Sequence, residues 1–94
     1  MADSTMLAML KTDLGISTST AYNTRLEQLL TAAQGLIIEE GASTLDASDR
    51  LDQQLIVMYA AWLWRRRDEM TGMPRRLRLA LNNRVFGEAA RVDA

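Results

Sequence analysis

Apolar residues recur along this chain at intervals of three and four, the spacing of one face of an α-helix, and the connections between periodic stretches are short. The first stretch starts at Ser4, a capping residue type, and stops at Gly15, with Leu7, Leu10 and Leu14 on one stripe. Residues 16–21 are rich in Ser and Thr and read as a loop. A second helix over 21–40 gathers Tyr22, Leu26, Leu29, Leu30, Ala33, Leu36 and Ile37 on one face and stops at Gly41. After a connection over 42–47, Ser48 is the expected N-cap of a third helix reaching to about residue 68, with Asp49 and Asp52 in its first turn, where carboxylates suit the helix dipole. Pro74 opens a fourth helix, docked through Leu77, Ala80, Leu81 and Val85. Beyond Gly87, residues 88–94 read as a mobile tail. The pattern predicts an all-α protein, a small helical bundle of about four helices in one domain over 1–94, built on a long antiparallel α-hairpin of the second and third helices.

The third helix is apolar over more than one stripe. At about 100° per residue from Leu51, the positions Leu51, Leu55, Met58, Tyr59 and Trp62 cluster as the expected core face, with Ile56 and Leu63 beside them. Val57 and Trp64 fall on the far side. Three readings account for them: contact with another subunit, burial under the first or fourth helix, or an unpaired exposed Trp.

Composition narrows the chemistry. The 94 residues contain neither Cys nor His, so the groups that most often serve as nucleophile, general base or transition-metal ligand near neutral pH are missing. Glu39-Glu40 and Asp68-Glu69 are adjacent carboxylates at helix ends, where neighbouring side chains point apart. Gly72 is a turn glycine without the Gly-x-x-x-x-Gly-Lys pattern of a phosphate loop, and the methionines read as adaptable packing. No enzymatic activity, metal or cofactor is expected. The longest apolar run, residues 55–64, is half of the roughly 20 residues that span a bilayer, and no signal peptide is expected at the N-terminus.

Charge is divided unevenly. Residues 1–60 carry three basic side chains (Lys11, Arg25, Arg50) and eight acidic ones, whereas residues 61–94 carry eight Arg and four acids. This split suits nucleic acid or a head-to-tail neighbour in an assembly, and the plainer reading is that the Arg side chains solvate helix ends. The basic groups Arg65-Arg66-Arg67 and Arg75-Arg76-x-Arg78 are candidate phosphate contacts, yet consecutive helical residues cannot place all three charges on one face.

From Tyr59 to Phe86 the order of residues is distinctive: Tyr59-Ala60-Ala61, Leu63, Arg65 and Arg67 close one helix, Met73-Pro74 opens the next, and Leu77, Ala80, Leu81, Asn82, Asn83 and Arg84 follow. In this order the chain resembles the small head-tail connector (adaptor) proteins of long-tailed siphophages. The opening Leu-Lys-x-Asp-Leu-Gly-Ile and the connection 44–52 extend the likeness over most of the chain. The resemblance implies a structural adaptor, a ring of about twelve copies on the portal. It would extend the DNA channel, contact passing DNA without sequence preference, and join head-completion or tail proteins. Its implied place is the virion head-tail interface, assembled in the host cytoplasm, with no membrane. The helical hairpin would be the rigid body, and the last helix would reach the portal or the next copy, with only a short segment after Phe86. Candidate subunit or portal contacts are Val57, Trp64, Arg65, Arg67, Met73, Arg75, Arg76, Asn82, Asn83, Arg84 and Phe86. The alternatives are a small DNA-binding or DNA-packaging accessory protein and a generic helical dimerisation module.

Overall fold

Glycine ends the first two helices by the same hydrogen-bond pattern. In the computed structural model, which describes residues 4–16, 18–66 and 72–93, α1 (Ser4–Leu14) stops where Gly15 enters left-handed backbone at φ 76°. Gly15 N–H then donates to Thr12 O and Ile16 N–H to Lys11 O, which satisfies carbonyls that the helix leaves open. Gly41, at φ 128°, repeats this after α2 (Asn23–Glu39): Gly41 N–H donates to Ile38 O and Ala42 N–H to Ile37 O. Here glycine is required twice over, because a Cβ at Gly41 would sit 2.9 Å from Val85 Cγ1.

The third helix, α3 (Arg50–Arg65), begins one residue later than the Ser48 cap predicts. Asp49 is the N-cap, in extended backbone, and its carboxylate accepts from Asp52 N–H at 3.1 Å. Ser48 is drawn away because its N–H and hydroxyl both donate to Asp46 Oδ1. The helix ends at Arg65; its expected continuation through 67 and 68 lies outside the described residues. The fourth helix, α4 (Arg75–Asp93), starts after Pro74, whose carbonyl accepts from Arg78 N–H. The expected break at Gly87 does not occur. The helix runs on to Asp93, and Glu88, only 3% exposed, is bound into the fold.

All four elements are helices, as the periodicity predicts. α2 and α3 pack most extensively as the antiparallel hairpin, and α3 is also covered by α1 and α4. The buried side chains of α3 are Asp52, Leu55, Ile56, Val57, Tyr59, Ala60 and Ala61. The arc centres on Ile56 and Ala60 rather than on Leu51, which lies about 140° away and is 73% exposed. Val57 is therefore core of the single chain. Three covering helices explain the wide apolar girth without a second subunit. On α2, Leu26, Leu29, Leu30, Ala33 and Ile37 are buried, whereas Tyr22 precedes the first helical turn and Leu36 lies at the edge of the stripe, so both stay exposed. On α1, Met6 and Leu10 are buried, with Leu7 and Leu14 packed beside them. Leu77 and Leu81 anchor α4.

Candidate functional site

Antiparallel packing turns the uneven charge of the sequence into a difference between the two ends of the bundle. The C-terminus of α2 and the N-terminus of α3 share one end, where, among the described residues, Glu39, Glu40, Asp46 and Asp49 are exposed beside a single exposed cation, Arg50. The C-terminus of α3 and the N-terminus of α4 share the other, where Arg65, Arg66, Arg75, Arg76 and Arg78 are exposed. The long axis of the molecule is 45 Å and the shortest 17 Å.

At the acidic end the C-terminal half of α4 is clasped to the α2–α3 connection. Arg84 Nε donates to Asp52 Oδ1 at 2.8 Å and its Nη2 to Oδ2 at 3.3 Å, with side-chain exposures of 14% and 8%. This two-point fork is the strongest geometry open to an Arg–carboxylate pair. Asp52 Oδ2 also accepts from Asp46 N–H, and Arg84 Nη2 donates to Thr44 Oγ1. The hydrogen bond to Asp52 raises the Arg84 pKa above its ordinary value. One turn on, Glu88 Oε1 accepts from Ser43 Oγ and from Thr44 N–H. Hydrogen bonds from the Thr44 side chain and backbone, with a smaller one from Ser43, hold the Glu88 carboxyl below the usual carboxylate range against the opposing effect of burial. Its other oxygen, Oε2, is buried without a partner.

At the basic end a groove of about 250 Å³ opens between α1, α3 and α4. Met58, Ala61, Trp62 and Leu77 form its apolar floor; Asp13, Arg65, Pro74 and Arg76 form its rim. Arg65 Nη2 pairs with Asp13 Oδ2 at 3.5 Å and donates to Asp13 O, an exposed pair contributing about 0 to 1 kcal/mol. Trp62 is held edge-on to Tyr59 with ring centroids 5.6 Å apart, and the Arg66 guanidinium lies 5.0 Å from the centre of the Trp62 ring. Trp62 Nε1 is buried with no hydrogen-bond partner. A wider depression of about 680 Å³ along α1, over Thr5, Ala8, Met9, Thr12 and Asp13, is an open face.

The candidate contact residues separate into two groups. Arg65, Arg75, Arg76, Asn82, Asn83 and Phe86 are exposed, and Phe86 is 80% so. Val57, Trp64, Met73 and Arg84 are not free surface. Val57 is buried, Met73 packs against the core, and Trp64 lies half-buried edge-on to Tyr22 with centroids 5.3 Å apart. Arg84 is engaged by Asp52 inside the chain, because its position continues the Leu77–Leu81 stripe that faces α3. Arg67 lies outside the described residues, as does the Asp68-Glu69 pair.

The clasp escaped sequence reasoning. Its signal was a charge on an apolar stripe: Asp52 shares a face with Leu55, Ile56 and Tyr59, and Glu88 follows Leu77, Leu81 and Arg84 at helical spacing. Trp62 as the floor of a groove was missed as well.

The fold defines this protein as a small all-α bundle. No family model, no curated protein and no solved structure matches the chain. Among the described residues no group of acidic side chains is placed to hold a metal ion, and no helix is long and apolar enough to cross a membrane.

Proposed function

We propose that this chain is a non-enzymatic structural adaptor at the head-tail junction of a tailed phage or prophage, forming a ring beneath the portal that extends the DNA channel and receives head-completion or tail proteins. The observation that carries the reading is the end-to-end polarity of the bundle. Among the described residues, one end exposes four carboxylates against the single guanidinium of Arg50, and the other five guanidinium groups against the single carboxylate of Asp13, each end beside exposed or accessible apolar side chains. A small element that must bridge unlike neighbours needs two unlike ends. The Tyr59–Phe86 likeness to siphophage connectors supports the same reading, and so does the clasp, which holds α4 as a rigid strut along α3.

The exposed Arg cluster also favours a second reading, a DNA-packaging accessory that binds duplex phosphates. Deleting the gene separates the two. The adaptor reading expects DNA-filled heads and free tails that do not join. Empty heads would instead assign the chain to packaging, and normal virions would remove both.

A further inference from the structure

Phe86 and the groove at the basic end complement one another in size, polarity and charge, and they lie on opposite sides of α4. Phe86 is the most exposed of the large apolar side chains described, and it borders a concavity shared with Glu40, Asn82 and Val85. An aromatic ring left in water at 80% exposure, beside a carboxylate, is a projecting apolar knob with an acidic flank. The Trp62 groove offers the converse: an apolar floor, a rim carrying Arg76 and Arg65, the latter shared with the rim carboxylate of Asp13, and about 250 Å³ of space. An apolar cavity of about 150 Å³ already holds benzene, so a phenyl ring fits.

The knob cannot enter the groove of its own chain. Leu77, which lines the groove, and Phe86 are nine positions apart on α4, which places them about 180° apart around the helix and about 14 Å along it. We infer that Phe86 of one copy inserts into the Trp62 groove of the next, with Glu40 set against the neighbour's Arg65 and Arg76. Such a contact is heterologous: each copy uses one surface to give and another to receive, and repetition generates a ring when the rotation closes. Aromatic and Arg side chains around a pocket are the composition of interface hot spots. The inference rests on the adaptor reading in supplying the contact between neighbouring copies of that ring.

The chain has no Cys, so single thiols report the contact cleanly. Asp13→Cys places a thiol on the groove rim and Asn82→Cys places one beside Phe86, both exposed. Full-length copies of the two variants are mixed with a short bismaleimide, in solution and on portal rings. The expected result is mixed dimers, one copy of each variant, accumulating about tenfold faster than either like pair, because the docked contact raises the effective concentration of only the unlike thiols, and slowing with added salt. Phe86→Ala or Glu40→Arg in the Asn82→Cys copy is expected to abolish that preference; both side chains are exposed, so neither change disturbs the core. No preference for mixed dimers, in solution or on portal rings that the chain does decorate, would overturn the inference and leave the adaptor reading standing. Mixed dimers without portal binding would keep the contact and remove the adaptor reading.

Discussion

Asp52 and Arg84 face each other between α3 and α4 with little water around them, so removing one partner leaves the other charge buried and uncompensated. Arg84→Met is expected to lower unfolding stability by about 3 kcal/mol, a large share of the roughly 5 to 15 kcal/mol of a domain this size. Adding Asp52→Leu should recover part of that loss. A loss under about 0.5 kcal/mol in urea titration would mean that the pair behaves as an exposed one. Glu88 gives the clasp a pH dependence. Its folded pKa lies below the ordinary value of 4.5, so the unfolded chain takes up protons first as pH falls. Its stabilisation is present above about pH 4.5 and lost as pH drops through the lower folded value. Glu88→Gln should flatten the decline in thermal midpoint between neutral and acid pH, and an unchanged slope would show that the carboxylate does not stabilise the fold. None of this was legible from residue type alone, because a carboxylate in the first turn of a helix already has a sufficient local reason in the dipole. Its long-range partner 32 positions away is visible only once α4 is docked.

At the scale of elements, the ends of α1 and α2 and the start of α4 were legible because each has a local signal: Gly15 and Gly41 in left-handed backbone, and Pro74 before α4. The cap of α3 was misplaced by one residue because Ser48 is held by Asp46 instead, which leaves Asp52 N–H to the Asp49 carboxylate. The orientation of α3 was misjudged for a related reason. The apolar residues of α3 spread over more than one stripe, so which of them meet the core depends on where three neighbours sit. The length of α4 was underestimated because Gly87 looked like a stop, although nothing lies within 4 Å of a Cβ there and the helix passes through it. Gly41 and Gly15 offer a graded test. Gly41→Ala meets both an unfavourable φ and Val85, and should cost about 1 to 3 kcal/mol; Gly15→Ala meets only the φ and should cost less. Combining Gly41→Ala with Val85→Ala relieves the steric part, so the double variant should lose less than the sum of the two single losses in chemical denaturation. Strict additivity would show that α4 does not press on the connection.

For the whole molecule, the sequence supplied a charge split and the fold supplied its direction. Antiparallel helices could equally have interleaved acidic and basic segments; here most exposed carboxylates gather at the α2–α3 connection, with Arg50 among them, and most exposed guanidinium groups at the α3–α4 approach, with Asp13 among them. The wide apolar surface of α3, which in sequence leaves room for a second subunit, is filled by α1, α2 and α4 instead, which moves the candidate contacts outward to Phe86 and the Trp62 groove. Assembly should accordingly depend on exposed residues more than on the core. Co-sedimentation of the purified chain with portal rings from the same genome, with bound stoichiometry read across a range of salt, bears on the adaptor reading most directly. Saturation near one copy per portal subunit is the expected result, and no binding at any salt concentration would contradict it.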